Sequence, residues 1–343
     1  MAKIAKSGIG VLIVNLGTPN SPKKKDVKEY LKEFLLDSRV IDINPIGRNL
    51  LVRGAILPFR AKSSAKLYEQ LWTEEGSPLK VHGYKLAEKL QDVLGERFIV
   101  ELAMRYQNPC IQDALDNLLN QQISSLIVVP LFPQYASATT GSVHQEVMTV
   151  LANRLVVPDV KFINSYYDHP KLIEAFIAKG KEHDIDSYDH VLFSYHGLPK
   201  RQLIKSDSGN CCFQSDDCCH NLDAANQHCY SAQCYATTKA LVKALNLPLE
   251  KYSTCFQSRL GKDPWLEPYT SEVLKKRYAA GDRRILVFCP AFVADCLETT
   301  IEISVEYAEE FEEMGGEHLQ LVEGLNADDV WVRGLKTIIL EHL

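Results

Sequence analysis

A row of acidic residues near the end of the sequence is the feature best suited to chemistry. Its members are three or four residues apart, and residues at these intervals share one face of an α-helix. Apolar residues border the row on both sides, so the carboxylates repel one another and need protons, cations or water nearby. The row predicts a proton-handling or metal-binding helix over residues 295–307, with a solvated acidic face as the alternative. Its members are Asp295, Glu298, Glu302, Glu306 and Glu309.

A histidine stands where a strand is expected to end. His196 follows the apolar and aromatic run 191–195 and precedes a Gly-Leu-Pro turn, so its side chain should project beyond the strand. A neutral imidazole accepts a proton near pH 7 or ligates a divalent cation. We therefore predict that His196 and Glu298 form a proton and metal site. A purely structural histidine is the alternative.

Cysteines are concentrated in one short stretch in the second half of the chain. Six of the ten lie between Cys211 and Cys234, together with His220 and His228. In a cytoplasmic protein such clustering favours ligation of a metal or cluster over disulfide bonds. Four thiolates can hold a [2Fe–2S] cluster or a zinc ion, although the spacing lacks the two separated Cys-x-x-Cys pairs of a zinc ribbon. The residue pattern leaves a cluster, zinc and free thiols as alternatives.

The elements that must position these residues alternate along the chain. Short β-branched runs are separated by segments of helical periodicity, which is typical of parallel sheets covered by helices on both faces. Two such sets predict an α/β protein of two doubly wound, Rossmann-like domains with parallel sheets. Strands are predicted at 10–14, 98–103, 126–129, 160–163, 191–195, 251–255, 285–288 and 319–322. Helices are predicted at 26–36, 84–93, 111–119, 172–181, 239–245 and 330–343.

The boundary between the domains is expected near residue 165. Similar triplets, Pro130-Leu131-Phe132 and Pro290-Ala291-Phe292, follow strands in the two halves and are a weak indication of internal duplication. Open parallel sheets bind ligands beyond the carboxyl ends of their strands, so a ligand cleft is expected between the domains. The predicted domains are 1–165, with the C-terminal helix 326–343 packing back on it, and 166–325, with the cysteine-rich insertion 207–234.

Composition argues against several classes of function. The 343 residues carry a formal net charge of −6, which gives no basic footprint for nucleic acid. No apolar run approaches the roughly 20 residues that span a bilayer, so a cytoplasmic protein is expected. Gly8 and Gly10 lack the third glycine of a dinucleotide fingerprint, and Gly261-Lys262 lacks the other residues of a phosphate loop. Neither NAD nor ATP is expected as a cofactor.

Short motifs in a fixed order extend over nearly the whole chain. They are Asn15-Leu16-Gly17-Thr18-Pro19, Gly76-Ser77-Pro78-Leu79, Arg105-Tyr106, Phe132-Pro133-Gln134-Tyr135, Thr139-Thr140-Gly141, Ser194-Tyr195-His196-Gly197-Leu198-Pro199, Phe256-Gln257-Ser258-Arg259, Pro264-Trp265-Leu266 and Asp295-Cys296-Leu297-Glu298-Thr299. This series resembles the ferrochelatase family. The resemblance implies two Rossmann-like domains with a porphyrin cleft between them. It also implies ATP-independent insertion of Fe²⁺ into protoporphyrin IX, giving protoheme and two protons in the last step of heme biosynthesis.

The resemblance also implies roles for individual residues. His196 and Glu298 would be the metal-site and proton-handling pair, and the acidic path would extend through Asp295, Glu302 and Glu306. Four more residues match family positions near the porphyrin, although each alone could equally be a packing or turn residue. These four are Ser77, Arg105, Tyr106 and Trp265.

Residues 43–60 mix large apolar side chains with three arginines. One interpretation is a core helix followed by a loop. The resemblance implies instead an apolar lip that admits the porphyrin, with Arg48, Arg53 and Arg60 available for its propionates. Such a lip could also make transient contact with a membrane surface, which would make the protein peripheral.

The cysteines can be interpreted through the same resemblance. Some ferrochelatases carry a [2Fe–2S] cluster, and certain bacterial members place the cysteines internally, so a [2Fe–2S] cluster is expected in preference to zinc. The animal ligand set is absent, because position 138 is alanine and the chain stops at Leu343. The animal dimer depends on the missing C-terminal extension, so a monomer is expected. The predicted cluster ligands are Cys212, Cys219, Cys229 and Cys234.

Two other functions fit the same residues. One histidine and one glutamate do not determine the metal, so a coproporphyrin ferrochelatase or a cobalt or nickel chelatase is an alternative. Outside the enzymes, the alternative is a heme or iron–sulfur carrier on the same fold. A proton acceptor opposite a carboxylate row argues against the carrier, because a carrier has no proton to remove.

Overall fold

Two separate units of α/β structure make up the chain. The computed structural model describes residues 8–215, 217–259, 261 and 263–343. Residues 1–7 of the predicted first domain, Asp216 of the cysteine-rich insertion and Lys262 of the Gly261-Lys262 pair lie outside the described residues. The first unit comprises the residues up to Phe132, Ser137–Ser165 and Asn326–Leu343, and the second comprises Pro133–Ala136 and Tyr166–Leu325.

A parallel sheet of four strands forms the centre of the first unit. Its strands are β1 (Ile9–Gly17), β2 (Phe98–Tyr106), β3 (Ser125–Pro130) and β4 (Asp159–Phe162), in the order β2-β1-β3-β4. β1 pairs in parallel with both β2 and β3. Residues 11–14 of β1 are completely buried. Their continuous apolar run is what a central parallel strand requires, because helices cover both of its faces.

Helices connect the strands of this sheet. They are α1 (Lys24–Leu36), α2 (Pro45–Leu50), α3 (Leu57–Leu71), α4 (Pro78–Leu94), α5 (Ile111–Asn120) and α6 (Ser142–Ala152), with π-helices at Leu51–Ile56 and Ser137–Gly141. α5 buries Ile111, Ala114, Leu115 and Leu118, a spacing that places one apolar stripe against the sheet. α4 begins at Pro78, earlier than predicted, because proline suits the first position of a helix.

The second unit has a parallel sheet of the same design. Its strands are β5 (His190–His196), β6 (Tyr252–Gln257), β7 (Arg284–Phe288) and β8 (His318–Leu321), in the order β6-β5-β7-β8. Its helices are α7 (Pro170–Gly180), α8 (Lys200–Ser206), α9 (Tyr230–Leu245), α10 (Thr270–Ala279) and α11 (Ala308–Glu313), with 3₁₀ turns at Ile185–Ser187 and Leu249–Lys251 and a π-helix at Leu297–Tyr307. The last helix, α12 (Asp329–Leu340), belongs to the first unit and contacts α4.

The predicted fold class is confirmed, since the two four-stranded sheets are parallel and accompanied by helices. All eight predicted strands are present within the described residues. A helix is present in the segment 295–307, but the prediction that it is an α-helix was wrong. Leu297–Tyr307 is a π-helix, whose hydrogen bonds span five residues instead of four, and α-helical geometry resumes only at Ala308.

The two units repeat one plan. In each sheet the first strand lies between the second and third, and a π-helix follows the third strand before an α-helix begins. None of the helices in the described part of the chain has the length and apolarity that a membrane span requires.

Candidate active site

His196 lies at the carboxyl end of β5 and is half-buried. Its Nδ1 donates to the carbonyl oxygen of Gly197 at 2.6 Å, which leaves Nε2 as the nitrogen that can accept a proton or a metal. The imidazole lies between two aromatic rings, with centroid distances of 6.4 Å to Trp265 and 6.3 Å to Phe292. The local fold therefore presents one basic nitrogen beside flat apolar surfaces.

The π-helix brings acidic side chains to the same unit. Glu298 and Glu302 are half-buried, whereas Glu306 is exposed, so the row passes from the interior to solvent. Burial raises the pKa of Glu302 above its ordinary value, and the Glu298 carboxylate adds to this, although His196 opposes it. These effects place both His196 and Glu298 within electrostatic reach of Glu302. A carboxyl group with a raised pKa can hold a proton closer to neutral pH.

Two neighbouring residues hold the Glu302 carboxylate. Ser258 Oγ donates to Glu302 Oε2, and Gln257 Nε2 donates to the same oxygen at 3.1 Å. Asp295, the first member of the acidic row, has a different environment. Its Oδ1 accepts from Thr299 Oγ1 at 3.2 Å and from the Gly324 amide at 3.0 Å, so this carboxylate also stabilises the entry to the π-helix.

Trp265 also lies in this unit, where the strand-like segment around it bridges to Pro199. Its indole Nε1 is buried and has no hydrogen-bond partner among the described residues. The ring lies against the turn after His196, since a Cβ at Gly197 would be 3.2 Å from Trp265 Cε3 and 2.8 Å from the Gln257 carbonyl oxygen. Glycine at 197 thus allows Trp265 to pack beside the histidine.

The other three predicted porphyrin-binding residues belong to the first unit and have internal partners. Ser77 Oγ and Thr18 Oγ1 are buried and share a hydrogen bond of 2.8 Å. Arg105 Nη2 and the Tyr106 hydroxyl both donate to Asp37 Oδ2 at 2.9 Å. These contacts hold the carboxyl ends of β1 and β2 in place.

Asp37 and Ser142 complete this network, and sequence reasoning missed both. Ser142 Oγ donates to Asp37 Oδ2 at 2.5 Å and accepts from Arg105 Nε at 2.7 Å. Burial favours a higher pKa for Asp37, but its donors, including Ser142 and Arg105, hold the pKa below the ordinary value. The only sequence signal was an acidic residue directly after the apolar end of an amphipathic helix, which is too common to be specific.

Lys80 is a second residue that the sequence did not single out. It lies in the first turn of α4, three residues after Ser77, and is half-buried. Desolvation lowers the pKa of its ammonium group, and no carboxylate of the described residues forms an ion pair with it. A desolvated ammonium group without a counter-ion is suited to bind an anion.

The cysteine-rich segment brings several of its thiols within reach of Cys219. Cys218 Sγ lies 3.4 Å from Cys219 Sγ, and the Cys219 thiol hydrogen-bonds to Cys229 and thereby lowers the pKa of Cys229. Burial, with Cys219 and Cys218 next to it, raises the pKa of Cys212 to about 12. Cys234 instead lies inside α9, completely buried against Tyr230. In the described residues no three His, Cys, Asp or Glu side chains are already arranged to hold a metal ion.

Comparison with known proteins identifies the family. The ferrochelatase family model matches residues 8–343. The chain belongs to the ferrochelatase family. It is 44% identical over 334 residues to a ferrochelatase of Legionella pneumophila (strain Corby), covering 97% of this chain and 99% of the relative. A ferrochelatase of Coxiella burnetii (strain RSA 493 / Nine Mile phase I) is 40% identical over 337 residues, with 98% and 94% covered. The family resemblance of the sequence motifs is thereby confirmed.

Solved structures support the fold of this ferrochelatase-family chain. SirB from Bacillus subtilis with Fe³⁺ aligns with a TM-score of 0.53 at 12% sequence identity, covering 98% of this chain and 95% of that one. At this level of identity the likeness extends to the fold alone.

The buried ion pair of the first unit gives a stability prediction. The Asp37 and Arg105 side chains are only 5% and 12% exposed, so Asp37→Ala leaves a charged guanidinium and two hydroxyl groups without their shared acceptor. We expect a loss of about 3 kcal/mol in the free energy of unfolding, measured from urea denaturation. Glu75→Ala, which removes the exposed Lys85–Glu75 pair, should cost less than about 1 kcal/mol. Equal effects of the two substitutions would contradict the role of Asp37.

Proposed function

We propose that this chain inserts Fe²⁺ into protoporphyrin IX, forming protoheme and releasing two protons without ATP, as the last step of heme biosynthesis. The observation that carries the proposal is the group of His196, Glu298 and Glu302 in a chain of the ferrochelatase family. Metallation removes two pyrrolic protons and the water around the iron. A base can accept the pyrrolic protons. A row of carboxylates that runs from the interior to solvent can carry the protons away and replace the water around the iron.

His196 and the π-helix divide this work. Nε2 of His196 is free to accept a pyrrolic proton, since Nδ1 is committed to the Gly197 carbonyl. Glu298 carries negative charge that attracts Fe²⁺ as substrate and stabilises the protonated histidine. Glu302, whose pKa is raised by burial, can take the proton onward, and the exposed Glu306 can pass it to solvent. Asp295 anchors the helix at the start of the row.

Porphyrin binding is proposed for Trp265 of the second unit and for four residues of the first. Trp265 packs beside His196, and we propose that its aromatic ring contacts the porphyrin. Lys80 can bind a propionate, because its half-buried ammonium group lacks an ion-pair partner in the described part of the chain. We propose that Ser77, Arg105 and Tyr106 support porphyrin binding by holding the strand ends of the first unit.

Substitutions of the base and the first carboxylate test this function. We expect His196→Ala and Glu298→Gln to reduce anaerobic metallation of protoporphyrin IX about 10²–10⁴-fold, as for the loss of a positioned base. Porphyrin affinity, measured by fluorescence, should remain. Glu312→Gln, an exposed glutamate of α11, serves as the control.

Other outcomes distinguish the alternatives. Turnover of coproporphyrin but not protoporphyrin IX would correct the substrate, and preference for cobalt or nickel would correct the metal. Tight porphyrin binding by the wild type without turnover of either substrate would favour a carrier.

We also propose that the cysteine-rich segment holds a [2Fe–2S] cluster. The thiols of Cys212, Cys218, Cys219 and Cys229 interact with one another and supply four sulfur ligands, the donor set that such a cluster requires. We propose Cys218 in place of Cys234 as the fourth ligand, because Cys218 Sγ lies 3.4 Å from Cys219 Sγ, whereas Cys234 is completely buried within α9. A bound cluster would cross-link the segment and make it sensitive to oxidants.

Visible absorption and iron content of anaerobically purified protein test the ligand set. Cys218→Ser should abolish the absorption, because a serine does not replace a thiolate ligand in this group. Cys234→Ser and, as a control outside the segment, Cys110→Ser should retain it. If Cys234→Ser abolishes the absorption and Cys218→Ser retains it, Cys234 is the ligand and Cys218 is not. A wild-type protein without colour or iron would reject the cluster.

A peripheral membrane contact is proposed for a cytoplasmic, monomeric protein. The helical run from α2 to α3 exposes Ile46, Leu50 and Phe59 at 76%, 71% and 80% of their side-chain surface. Arg53 and Arg60 are exposed on the same run. This combination of apolar and basic side chains suits the surface of an anionic bilayer or the entry of an apolar porphyrin.

Flotation with anionic liposomes tests this contact. Phe59→Ser should weaken binding about 10- to 100-fold, since it removes roughly 1.5–3 kcal/mol of apolar burial. Leu155→Ser is the matched control, because Leu155 is a fully exposed leucine in the loop after α6. Equal losses from the two substitutions, or no flotation of the wild type, would reject a specific membrane surface.

A further inference from the structure

Gln257 ends β6 and is almost completely buried, with 1% of its surface exposed. It lies directly opposite His196 in the parallel pairing of β5 with β6, and its carbonyl oxygen accepts from the Gly197 amide at 2.8 Å. The backbone of Gln257 is therefore fixed to the strand end that carries the proposed base.

The side-chain amide of Gln257 has one permitted orientation. Its Oε1 accepts from Ser194 Oγ at 2.8 Å, and the Ser194 hydroxyl also contacts Thr270 Oγ1 at 3.0 Å. With the oxygen held toward β5, the Nε2 group must point toward the π-helix. A buried amide with fixed donor and acceptor ends acts as a rigid spacer.

The Nε2 group makes two contacts with the π-helix. It donates to the backbone carbonyl of Glu298 at 2.7 Å and to Glu302 Oε2 at 3.1 Å. In an α-helix the Glu298 carbonyl is the acceptor for the amide of residue 302, four positions on. In a π-helix its partner is the amide five positions on, and a side chain that inserts into the hydrogen-bond ladder of a helix alters its geometry locally.

The first unit contains a comparable arrangement. Arg105 directly precedes Tyr106, the β2 residue that pairs with Gly17 of β1. Gln257 has the corresponding position in β6, directly before the residue that is level with Gly197. Arg105 Nε donates to the Ser142 carbonyl at 3.2 Å and to Ser142 Oγ at 2.7 Å, immediately after the π-helix Ser137–Gly141. In both units a long donor from the second strand thus reaches a backbone carbonyl at an end of the π-helix, near its start in the second unit and just beyond its last residue in the first.

We infer that Gln257 is a positioning residue that holds Leu297–Tyr307 in π-helical register and so sets Glu298 and Glu302 against His196. When the Gln257 amide is removed, no donor stabilises the wider π-helical turn. The backbone amide of Glu302 then donates to the Glu298 carbonyl, as in an α-helix, and replaces the bond from Gln257. The carboxylates beyond residue 298 then rotate about the helix axis. The catalytic part of this inference rests on the proposed chelatase function, whereas the register itself does not.

Gln257→Met tests the inference, because methionine has a similar shape and no donor. A crystal structure of the variant should show α-helical hydrogen bonds from residue 298 to residue 302. The turnover number for metallation should fall about 100-fold, the effect of a misplacement of about 1 Å, while KM for the porphyrin stays the same. An unchanged π-helical register would overturn the inference, and so would a changed register with full turnover.

Two further variants distinguish a positioning effect of Gln257 from a general loss of structure. Ser258→Ala removes a hydrogen bond to Glu302 but leaves the Glu298 carbonyl contact, so the π-helical register should persist. Gln91→Met removes a glutamine amide that bonds the Phe98 carbonyl and the Val100 amide in the first unit, and turnover should be retained. An α-helical register in Ser258→Ala would assign the effect to Glu302 instead of Gln257. An inactive wild type would reject the proposed function, while the crystallographic comparison would still decide the register.

Discussion

The pairing of β5 with β6 is the constraint on which the candidate site depends. It sets His196 level with Gln257, and the Gln257 amide then spans the gap to the π-helix. A strand end is a well-fixed position, because its backbone is hydrogen-bonded to the neighbouring strand, as His196 is to β6. The proposed base is thus placed by the sheet, and the carboxylates are placed by a side chain of the same sheet. Neither depends on a flexible loop.

The two units share one order of strands and helices, but the carboxyl groups that it positions differ in their pKa. In the second unit Gln257 and Ser258 bind the carboxylate of Glu302, and burial keeps its pKa raised. In the first unit Arg105 occupies the place of Gln257 and pairs with Asp37, and the Ser142 hydroxyl, together with Arg105, holds the pKa of that carboxylate below its ordinary value despite burial. A raised pKa suits proton exchange near neutral pH, whereas a lowered one gives a permanently charged structural group. The same backbone plan therefore accompanies a carboxyl group of raised pKa in one unit and one of lowered pKa in the other.

Much of the fold could be predicted from sequence, because buried parallel strands are continuous β-branched runs and His196 stands between such a run and a Gly-Leu-Pro turn. The π-helix could not. Carboxylates spaced three and four apart fit an α-helix, and the contact that distinguishes the two registers comes from Gln257, 41 residues before Glu298. Asp37 was missed for the same reason, since it lies 68 residues from Arg105. Pairings across such separations leave no periodic signal in the sequence.

The register of the π-helix also explains why the acidic row is tolerated. Neighbouring carboxylates at a half-buried site repel one another, and a π-helix has weaker intrinsic stability than an α-helix, so each feature alone would destabilise the segment. Donors from Gln257 and Ser258 offset the charge of Glu302, and the Gln257 bond to the Glu298 carbonyl offsets the altered backbone. Because one amide serves both purposes, charge placement and backbone register are coupled. Removal of the Gln257 amide therefore affects the placement of Glu302 and the backbone register together.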